Sequence, residues 1–130
     1  MGEQKRPLIL HADDSAFIIM TIRAMLEQLG CDCVSAPNGQ EALRMARTQK
    51  PDAILLDAMM PALDGYQTAA ALRADGATQN IPILMLTGSA APKPPAQACG
   101  WVNDFLVKPV RFDSLKAALG ALIKLPGGGQ

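Results

Sequence analysis

The chain has 130 residues, and its 12 lysines and arginines balance 12 aspartates and glutamates, so the formal net charge is zero. This length suits a single domain with one hydrophobic core, and the balanced charge argues against a nucleic-acid surface or a polybasic membrane anchor. No apolar stretch approaches the ~20 residues that span a bilayer, and the opening MGEQKRPL lacks the apolar region of a signal peptide. Because the three cysteines are odd in number and His11 is the only histidine, we expect a reduced, cytoplasmic protein without a catalytic triad or a histidine-rich metal site.

Apolar strand-like runs alternate with helical patterns along the chain. The apolar run 7–12 predicts a strand, and the helix after it has Ser15 as a candidate N-cap and Gly30 as its end. CDCVSA (31–36), PDAILLD (51–57), IPILMLTGS (81–89) and DFLVKP (104–109) predict four more strands. Helical periodicity returns at 38–50, 64–76 and 111–125, and PGGGQ (126–130) is typical of a flexible tail or linker.

The predicted strands are short, apolar on both sides and rich in isoleucine, leucine and valine. Such strands are typical of parallel sheets that helices cover on both faces. We therefore predict an α/β fold with a doubly wound, five-stranded parallel sheet in a three-layer sandwich. The domain occupies residues 1–125, and 126–130 form the tail.

The stretch SAAPKPPAQACG (89–100) follows the fourth strand, where a fourth helix is due. Pro92, Pro94 and Pro95 fall within four residues, and proline inside a helix removes a hydrogen bond and clashes with the preceding turn. It also disfavours helical geometry in the residue before it, so we expect Ala91, Lys93 and Pro94 to be extended. A helix can therefore start only at about Pro94 or Pro95, and we predict a shortened or irregular fourth helix that ends near Gly100.

Polar residues collect where the predicted strands end. Ligands of doubly wound folds bind beyond the carboxyl ends of the strands, and those ends carry Asp13, Asp14, Asp57, Thr87 and Lys108. Adjacent carboxylates become favourable around a divalent cation, and oxygen ligands without histidine or cysteine indicate Mg²⁺ or Mn²⁺. Taken singly, each residue has a structural interpretation: a helix cap for either of the first two acids, a turn for the threonine, and a solvated strand end for the lysine.

Asp57 is suited to nucleophilic chemistry at such a site. A carboxylate beside a hard metal ion can attack a phosphoryl group and form an aspartyl phosphate. The cation and Lys108 would offset charge on the transferring oxygens, and Thr87 can donate a hydrogen bond to a further oxygen. Three crowded carboxylates repel one another without a cation. We therefore expect Asp13→Ala or Asp14→Ala to leave the metal-free fold intact or to stabilise it by ~1 kcal/mol.

Four motifs resemble, in their order, those of response-regulator receiver domains of two-component signalling, chemotaxis regulators among them. They are ADDS (12–15), LLDAMMPALDGYQ (55–67), LTGSA (86–90) and DFLVKPV (104–110). The resemblance covers residues 7–125 and implies a flavodoxin-like (βα)₅ fold. It implies a signalling module that catalyses only its own phosphorylation and dephosphorylation, rather than a turnover enzyme. Both a stand-alone receiver and part of a larger regulator or hybrid kinase fit this sequence.

The resemblance also implies a role for each motif residue. Asp57 would accept a phosphoryl group from a phosphohistidine, and Mg²⁺ would bind Asp13, Asp14, Asp57 and the backbone carbonyl of Met59. Thr87 and Lys108 would contact the phosphoryl oxygens, and the Lys108–Pro109 peptide would be cis. Phe105 would act with Thr87 as the switch, and Gly65 would relax the backbone of the loop after Asp57.

The first helix has an apolar stripe opposite its predicted buried face. Phe17, Met20 and Ala24 recur at i, i+3 and i+7, although scattered apolar residues are normal on surfaces. Receivers commonly dock this helix on a histidine kinase or a histidine phosphotransfer protein, so the resemblance implies a docking stripe. The proline-rich stretch predicts, in turn, that the usual dimer through the fourth helix is absent.

Two other functions are compatible with the acid set. A metal-dependent hydrolase would use Asp57 as nucleophile, but such phosphatases usually carry a general acid two residues later, where this chain has Met59. A pseudo-receiver would bind partners without phosphorylation, although degenerate members tend to lose the acids that are intact here. His11 departs from the aliphatic residue usual in receivers, and we interpret it as a hydrogen-bonded core or interface histidine.

Overall fold

A computed structural model describes residues 6–88 and 94–126, and in these residues five strands alternate with four α-helices and one 3₁₀ helix. The elements are β1 Leu8–Ala12, α1 Ala16–Gln28, β2 Asp32–Ala36, α2 Gly39–Gln49, β3 Ala53–Asp57, α3 Gly65–Ala74, β4 Ile83–Thr87, the 3₁₀ helix Ala96–Gly100, β5 Asp104–Val107 and α4 Phe112–Leu122. Residues 127–130 of the predicted tail 126–130 lie outside the described residues, so its assignment stays a prediction.

The five strands form one parallel sheet in the order β2-β1-β3-β4-β5. This confirms the doubly wound α/β prediction. All carboxyl ends point the same way, so the residues at or just after the ends of β1, β3, β4 and β5 share one side of the sheet. We call this side, with Asp13, Asp14, Asp57, Thr87 and Lys108, the carboxyl edge.

Side-chain alternation along the strands divides the core between the two faces of the sheet. On one face, α2, α3 and the 3₁₀ helix pack over strand residues that include Leu10, Ile54, Leu56 and Met85. On the other face, α1 and α4 cover Ile9, Leu55, Leu84 and Leu86. Because both faces are buried, β3 and β4 are almost wholly apolar, the pattern expected of central parallel strands.

The boundaries of α1 follow from two residues. Ser15 is the N-cap, and its hydroxyl accepts a hydrogen bond from the Ile18 N–H at 3.3 Å, which confirms the predicted cap. At the other end, Leu29 is the C-cap and Gly30 follows with φ +82°. This left-handed conformation favours glycine, so the helix ends where the sequence predicts.

The helical element between β4 and β5 is short, as the prolines predict. Pro95 precedes the 3₁₀ helix Ala96–Gly100, and within the described residues 94–100 there is no α-helix. The prediction of extended backbone at Ala91 and Lys93 lies outside the described residues. Ala98 and Val102 pack into the core on the α2 and α3 face, so this short element still seals that side.

The side of the sheet opposite the carboxyl edge is held by one arginine. Arg73, near the end of α3, donates four hydrogen bonds of 2.7–3.0 Å, to the carbonyls of Gln79, Ile81 and Trp101 and to the side-chain oxygen of Asn103. We call this group the Arg73 clamp. It fixes the segments that enter β4 and β5 to the end of α3.

Candidate functional site

Three carboxylates meet at the carboxyl edge. Asp13 and Asp14 follow β1, and Asp57 is the last residue of β3, the neighbouring strand. One oxygen from each lies within 4.8 Å of the others. Asp13 and Asp57 are buried and Asp14 is exposed, so the cluster is a recess with one solvent-facing acid.

Asp57 is the most constrained acid of the three. Its Oδ1 accepts a hydrogen bond from the Met59 N–H at 3.2 Å and another from Lys108 Nζ at 2.8 Å, and neither bond engages Oδ2. Burial raises the pKa of Asp57, the hydrogen bond from Lys108 opposes that rise, and the charge of Asp13 adds to it. The net pKa lies above the ordinary value, so the ionised form of Asp57 is disfavoured in the fold.

The pKa of Asp13 is shifted in the direction opposite to that of Asp57. Burial alone would raise its pKa, but nearby His11, the Ser15 N–H and the charge of Lys108 together bring the net pKa below the ordinary value. Asp13 Oδ1 accepts the Ser15 N–H at 2.9 Å, and Oδ2 lies 3.8 Å from Lys108 Nζ. The fold therefore favours ionised Asp13. This direction argues against the expectation that Asp13→Ala leaves the metal-free fold intact or stabilises it, and the effect of the replacement stays a prediction.

Neither aspartate after β1 caps the first helix. Ser15 holds the N-cap position, and Asp13 accepts the N–H of Ser15 before the helix begins. Asp14 is exposed. The capping interpretation of the two adjacent acids is therefore wrong, and their charge needs another explanation.

Pairing of β4 with β5 brings the remaining polar residues to the same edge. Thr87 ends β4, and its carbonyl accepts the Lys108 N–H at 2.6 Å. The Lys108–Pro109 peptide is cis. Phe105 pairs in register with Met85 of β4, and its side chain is 37% exposed. The threonine, lysine and aromatic thus occupy one strand pair beside the acid cluster.

The loop after Asp57 packs closely under the site. Met59 is exposed there, and the role of its carbonyl as a metal ligand stays a prediction. Gly65 begins α3, and a Cβ at this position would clash with the Asp57 carbonyl oxygen and lie 2.8 Å from Ala58 Cα. Glycine is therefore needed for close approach of α3 to β3. Its φ is not positive, so the expected relief of backbone strain is wrong; Ala62, with φ +67°, has the left-handed conformation in this loop.

His11 lies in the core, two residues before Asp13. It is 0% exposed, and its Nε2 is 3.7 Å from Asp13 Oδ2. Among the described residues, both ring nitrogens and Asp13 Oδ2 lack a hydrogen-bond partner. The interpretation as a core histidine is confirmed, but the expected hydrogen bonding is not found. The sequence signal for its proximity to Asp13 is the two-residue spacing, which places both side chains on one side of an extended chain.

The apolar stripe of α1 is on the surface. Phe17 is 75% exposed and Met20 is 70% exposed, and Ala24 is exposed as well. Ile22 and Leu26 are buried on the opposite side of the helix. The start of α1 adjoins Asp14, so the stripe begins next to the acid cluster.

The donor set fits a hard divalent cation. Three carboxylates offer oxygen atoms at mutual distances that one ion can bridge, and the buried Asp13 Oδ2 has no hydrogen-bond partner among the described residues. Mg²⁺ prefers such oxygen ligands and usually keeps several waters, which the exposure of Asp14 permits.

Comparisons with known proteins place this chain in a family. The model for the response regulator receiver domain matches residues 9–120. Protein PilH of Pseudomonas aeruginosa is 34% identical over 117 residues, which are 88% of this chain and 96% of PilH. The phosphate regulon transcriptional regulatory protein PhoB of the same organism is 37% identical over 123 residues, and the chain spans only 54% of its length.

Solved structures agree with the fold. The receiver domain of a sensor histidine kinase from Pseudomonas aeruginosa, which has a magnesium ion in its active-site cleft, matches with a TM-score of 0.82 and 32% identity over 91% of this chain and 98% of that one. The chemotaxis protein CheY4 of Vibrio cholerae matches with a TM-score of 0.82 and 27% identity over 92% of this chain and all of the other. In the described residues no helix is long and apolar enough to cross a membrane. The chain belongs to the response regulator receiver domains of two-component signalling.

Proposed function

We propose that Asp57 is the phosphoacceptor of this receiver domain. The observation that carries the proposal is the 2.8 Å contact between Lys108 Nζ and Asp57 Oδ1, with two further carboxylates within 4.8 Å. Because Oδ1 already accepts two hydrogen bonds, Oδ2 is the oxygen left to attack. It forms a bond to phosphorus as the phosphorus–nitrogen bond of a donor phosphohistidine breaks, and the imidazole leaves with the electron pair of that bond.

In this proposal Asp13, Asp14 and Asp57 hold Mg²⁺, and the Met59 carbonyl is a further candidate ligand. Mn²⁺ also suits oxygen donors. When bound, the cation supplies positive charge beside the transferring phosphoryl oxygens. The protein's own contribution is to hold Asp57 in place through the Met59 N–H and Lys108, since positioning and charge account for most of the catalysis in phosphoryl transfer.

Lys108 and Thr87 complete the proposed phosphoryl site. The ammonium that contacts Asp57 Oδ1 would pair with a phosphoryl oxygen, and the Thr87 hydroxyl would donate to another. Movement of Thr87 toward that oxygen would open space for Phe105, which is one-third exposed on the adjacent strand. The face formed by these two residues is then the switch that downstream partners read.

Phosphorylation from a small donor tests the assignment directly. We expect acetyl phosphate with Mg²⁺ to add one phosphoryl group by intact-mass spectrometry, and Asp57→Asn or EDTA to abolish the addition. Asp32→Asn, an exposed acid at the start of β2, is the matched control and should label like the wild type. Labelling of Asp57→Asn at the wild-type level would contradict the phosphoacceptor role.

The same experiment separates receiver from hydrolase and pseudo-receiver. We propose that the chain acts only on its own aspartate, so the labelled protein should accumulate as a stable mass gain. Phosphate release that continues as long as donor remains, without accumulation of labelled protein, would support a hydrolase. Absence of any reaction with Mg²⁺ present would support a pseudo-receiver.

The exposed stripe of Phe17, Met20 and Ala24 is the proposed docking surface for a histidine kinase or histidine phosphotransfer protein. Exposed aromatic and methionine side chains are suited to contact with a partner helix. Phe17→Ala with Met20→Ala should slow transfer from a phosphorylated partner but spare labelling by acetyl phosphate. Glu27→Ala with Gln28→Ala, at exposed positions in the last turn of the same helix, should change neither reaction. Equal losses with both donors would contradict a docking role.

The short 3₁₀ helix between β4 and β5 affects the oligomeric state that we expect. A dimer through a full fourth helix requires a surface that residues 94–100 do not provide in α-helical form. We therefore expect the phosphorylated protein to sediment as a monomer in analytical ultracentrifugation. A symmetric phospho-dimer through residues 89–99 would contradict this expectation.

A further inference from the structure

β1 contains a buried polar residue, His11, among mostly aliphatic side chains, and its register partner on β2 is Ser35. Strand alternation places His11 on the face that α1 and α4 cover, with Ile9 beside it on the same strand and Leu55 as its register partner on β3. A buried imidazole without a hydrogen bond costs free energy that an aliphatic side chain would not. We therefore expect an interaction close to the ring that offsets this cost.

One candidate is Asp13, an acid of the proposed metal site. His11 Nε2 is 3.7 Å from Asp13 Oδ2, and neither atom has a hydrogen-bond partner among the described residues. The other oxygen, Oδ1, accepts the Ser15 N–H at 2.9 Å. The carboxylate thus has a donor on one side and a ring nitrogen just beyond hydrogen-bond distance on the other.

We propose that His11 is a positioning residue for Asp13. A neutral imidazole with its proton on Nε2 donates to Oδ2 after a small rotation of either side chain. Two donors, one on each oxygen, then fix the plane of the carboxylate. Each oxygen keeps a lone pair for a cation, so Asp13 is oriented before the cation arrives. This inference rests on the proposed role of Asp13 as a Mg²⁺ ligand.

Removal of a group that hydrogen-bonds to a metal ligand and orients it weakens the affinity for the metal strongly. We expect His11→Leu, which keeps a buried apolar side chain but no donor, to raise the Kd for Mg²⁺ by about 10-fold. His11→Gln, whose amide nitrogen lies at about the same distance from the backbone as Nε2, should bind like the wild type. Titration calorimetry with MgCl₂, at one pH for all three proteins, measures the Kd values.

A second measurement does not depend on the cation. His11 is the only histidine, so a long-range ¹H–¹⁵N spectrum of the untagged, EDTA-treated protein contains a single imidazole. We expect its signals to show the proton on Nε2 and to shift in Asp13→Asn. Asp14→Asn, which alters the exposed neighbouring acid, is the matched control and should leave them nearly unchanged.

The outcomes separate this inference from the function on which it rests. Wild-type protein that binds Mg²⁺ with a Kd unchanged in His11→Leu overturns the role of His11 alone. Equal weakening in His11→Gln and His11→Leu also overturns it, because shape rather than the donor would then matter. Absence of Mg²⁺ binding by the wild type overturns both proposals. Should His11→Leu fail to fold, an Nδ1-protonated ring or a spectrum insensitive to Asp13→Asn is the overturning result.

Discussion

The two ends of the sheet use polar groups in opposite ways. At the entry to β4 and β5, the guanidinium of Arg73 donates four hydrogen bonds of 2.7–3.0 Å to oxygens of neighbouring segments. At the carboxyl edge, three carboxylates share one lysine contact shorter than 3 Å, and buried Asp13 Oδ2 accepts no hydrogen bond from the described residues.

This difference distinguishes a structural site from a functional one. Polar groups whose hydrogen bonds are complete within the chain stabilise the fold and leave little capacity for a ligand. Groups of like charge with free lone pairs lower stability and keep that capacity. Substitutions of Arg73 and of Asp57 should therefore have opposite effects on unfolding and on labelling.

The largest expected effect is at the Arg73 clamp. Arg73→Met keeps the aliphatic part of the side chain but leaves several backbone carbonyls without their donor, so we expect the free energy of unfolding to fall by about 3 kcal/mol. Urea denaturation measures the loss. The folded variant should still take one phosphoryl group from acetyl phosphate, because the clamp lies at the other end of the sheet.

Arg47→Met is the control for loss of an arginine. Arg47 also pairs with a neighbour, Asp75, but both side chains are at the surface, and exposed ion pairs contribute at most about 1 kcal/mol. If Arg47→Met were as destabilising as Arg73→Met, the clamp would have no special structural role.

At the carboxyl edge we expect one substitution to stabilise the protein. Asp57 has a raised pKa, so the unfolded chain ionises before the folded one and the folded state is penalised as pH rises from 3.8 through the folded pKa. In EDTA at neutral pH, Asp57→Asn should therefore increase the free energy of unfolding by about 1 kcal/mol. The gain should vanish below pH 3.8, where Asp57 is protonated in both states. A constant gain at every pH would show that its cause is not the charge.

A smaller effect of opposite sign on the free energy of unfolding is expected at Asp13, which follows the neighbouring strand β1. The lowered pKa of Asp13 means that its charge adds stability above pH 3.8, and this stability is lost as pH falls through the folded pKa. Asp13→Asn should therefore lower the free energy of unfolding of the metal-free protein at neutral pH, by less than about 1 kcal/mol, and abolish Mg²⁺ binding. Stabilisation by Asp13→Asn would mean that repulsion among the acids outweighs the Ser15 and Lys108 contacts.

Local sequence rules predicted the elements and the composition of the site. Strand-like runs ending in Asp57 and Thr87, the Ser15 cap and the proline-rich 89–95 stretch each depend on neighbouring residues, whose effects are strong and short in range. The carboxyl ends of parallel strands meet at one edge, so the polar residues there could be grouped without coordinates.

Features that depend on distances between elements were not predictable in this way. The opposite pKa directions of Asp13 and Asp57 result from how burial, His11, the Ser15 N–H and Lys108 are divided between two carboxylates. The requirement for Gly65 results from the approach of α3 to β3. Both depend on three-dimensional packing, which sequence periodicity does not record.

The order of the site residues along the chain also affects folding during synthesis. When translation reaches Asp57, the chain already contains β2, β1 and β3, three adjacent strands of the sheet, and all three carboxylates. Lys108, which pairs with Asp57, is 51 residues further on. At about 5–20 residues per second, the nascent chain lacks this ammonium group for several seconds. During that interval, a divalent cation from the surrounding solution would offset the repulsion, so an ion that binds the proposed site would also assist its assembly.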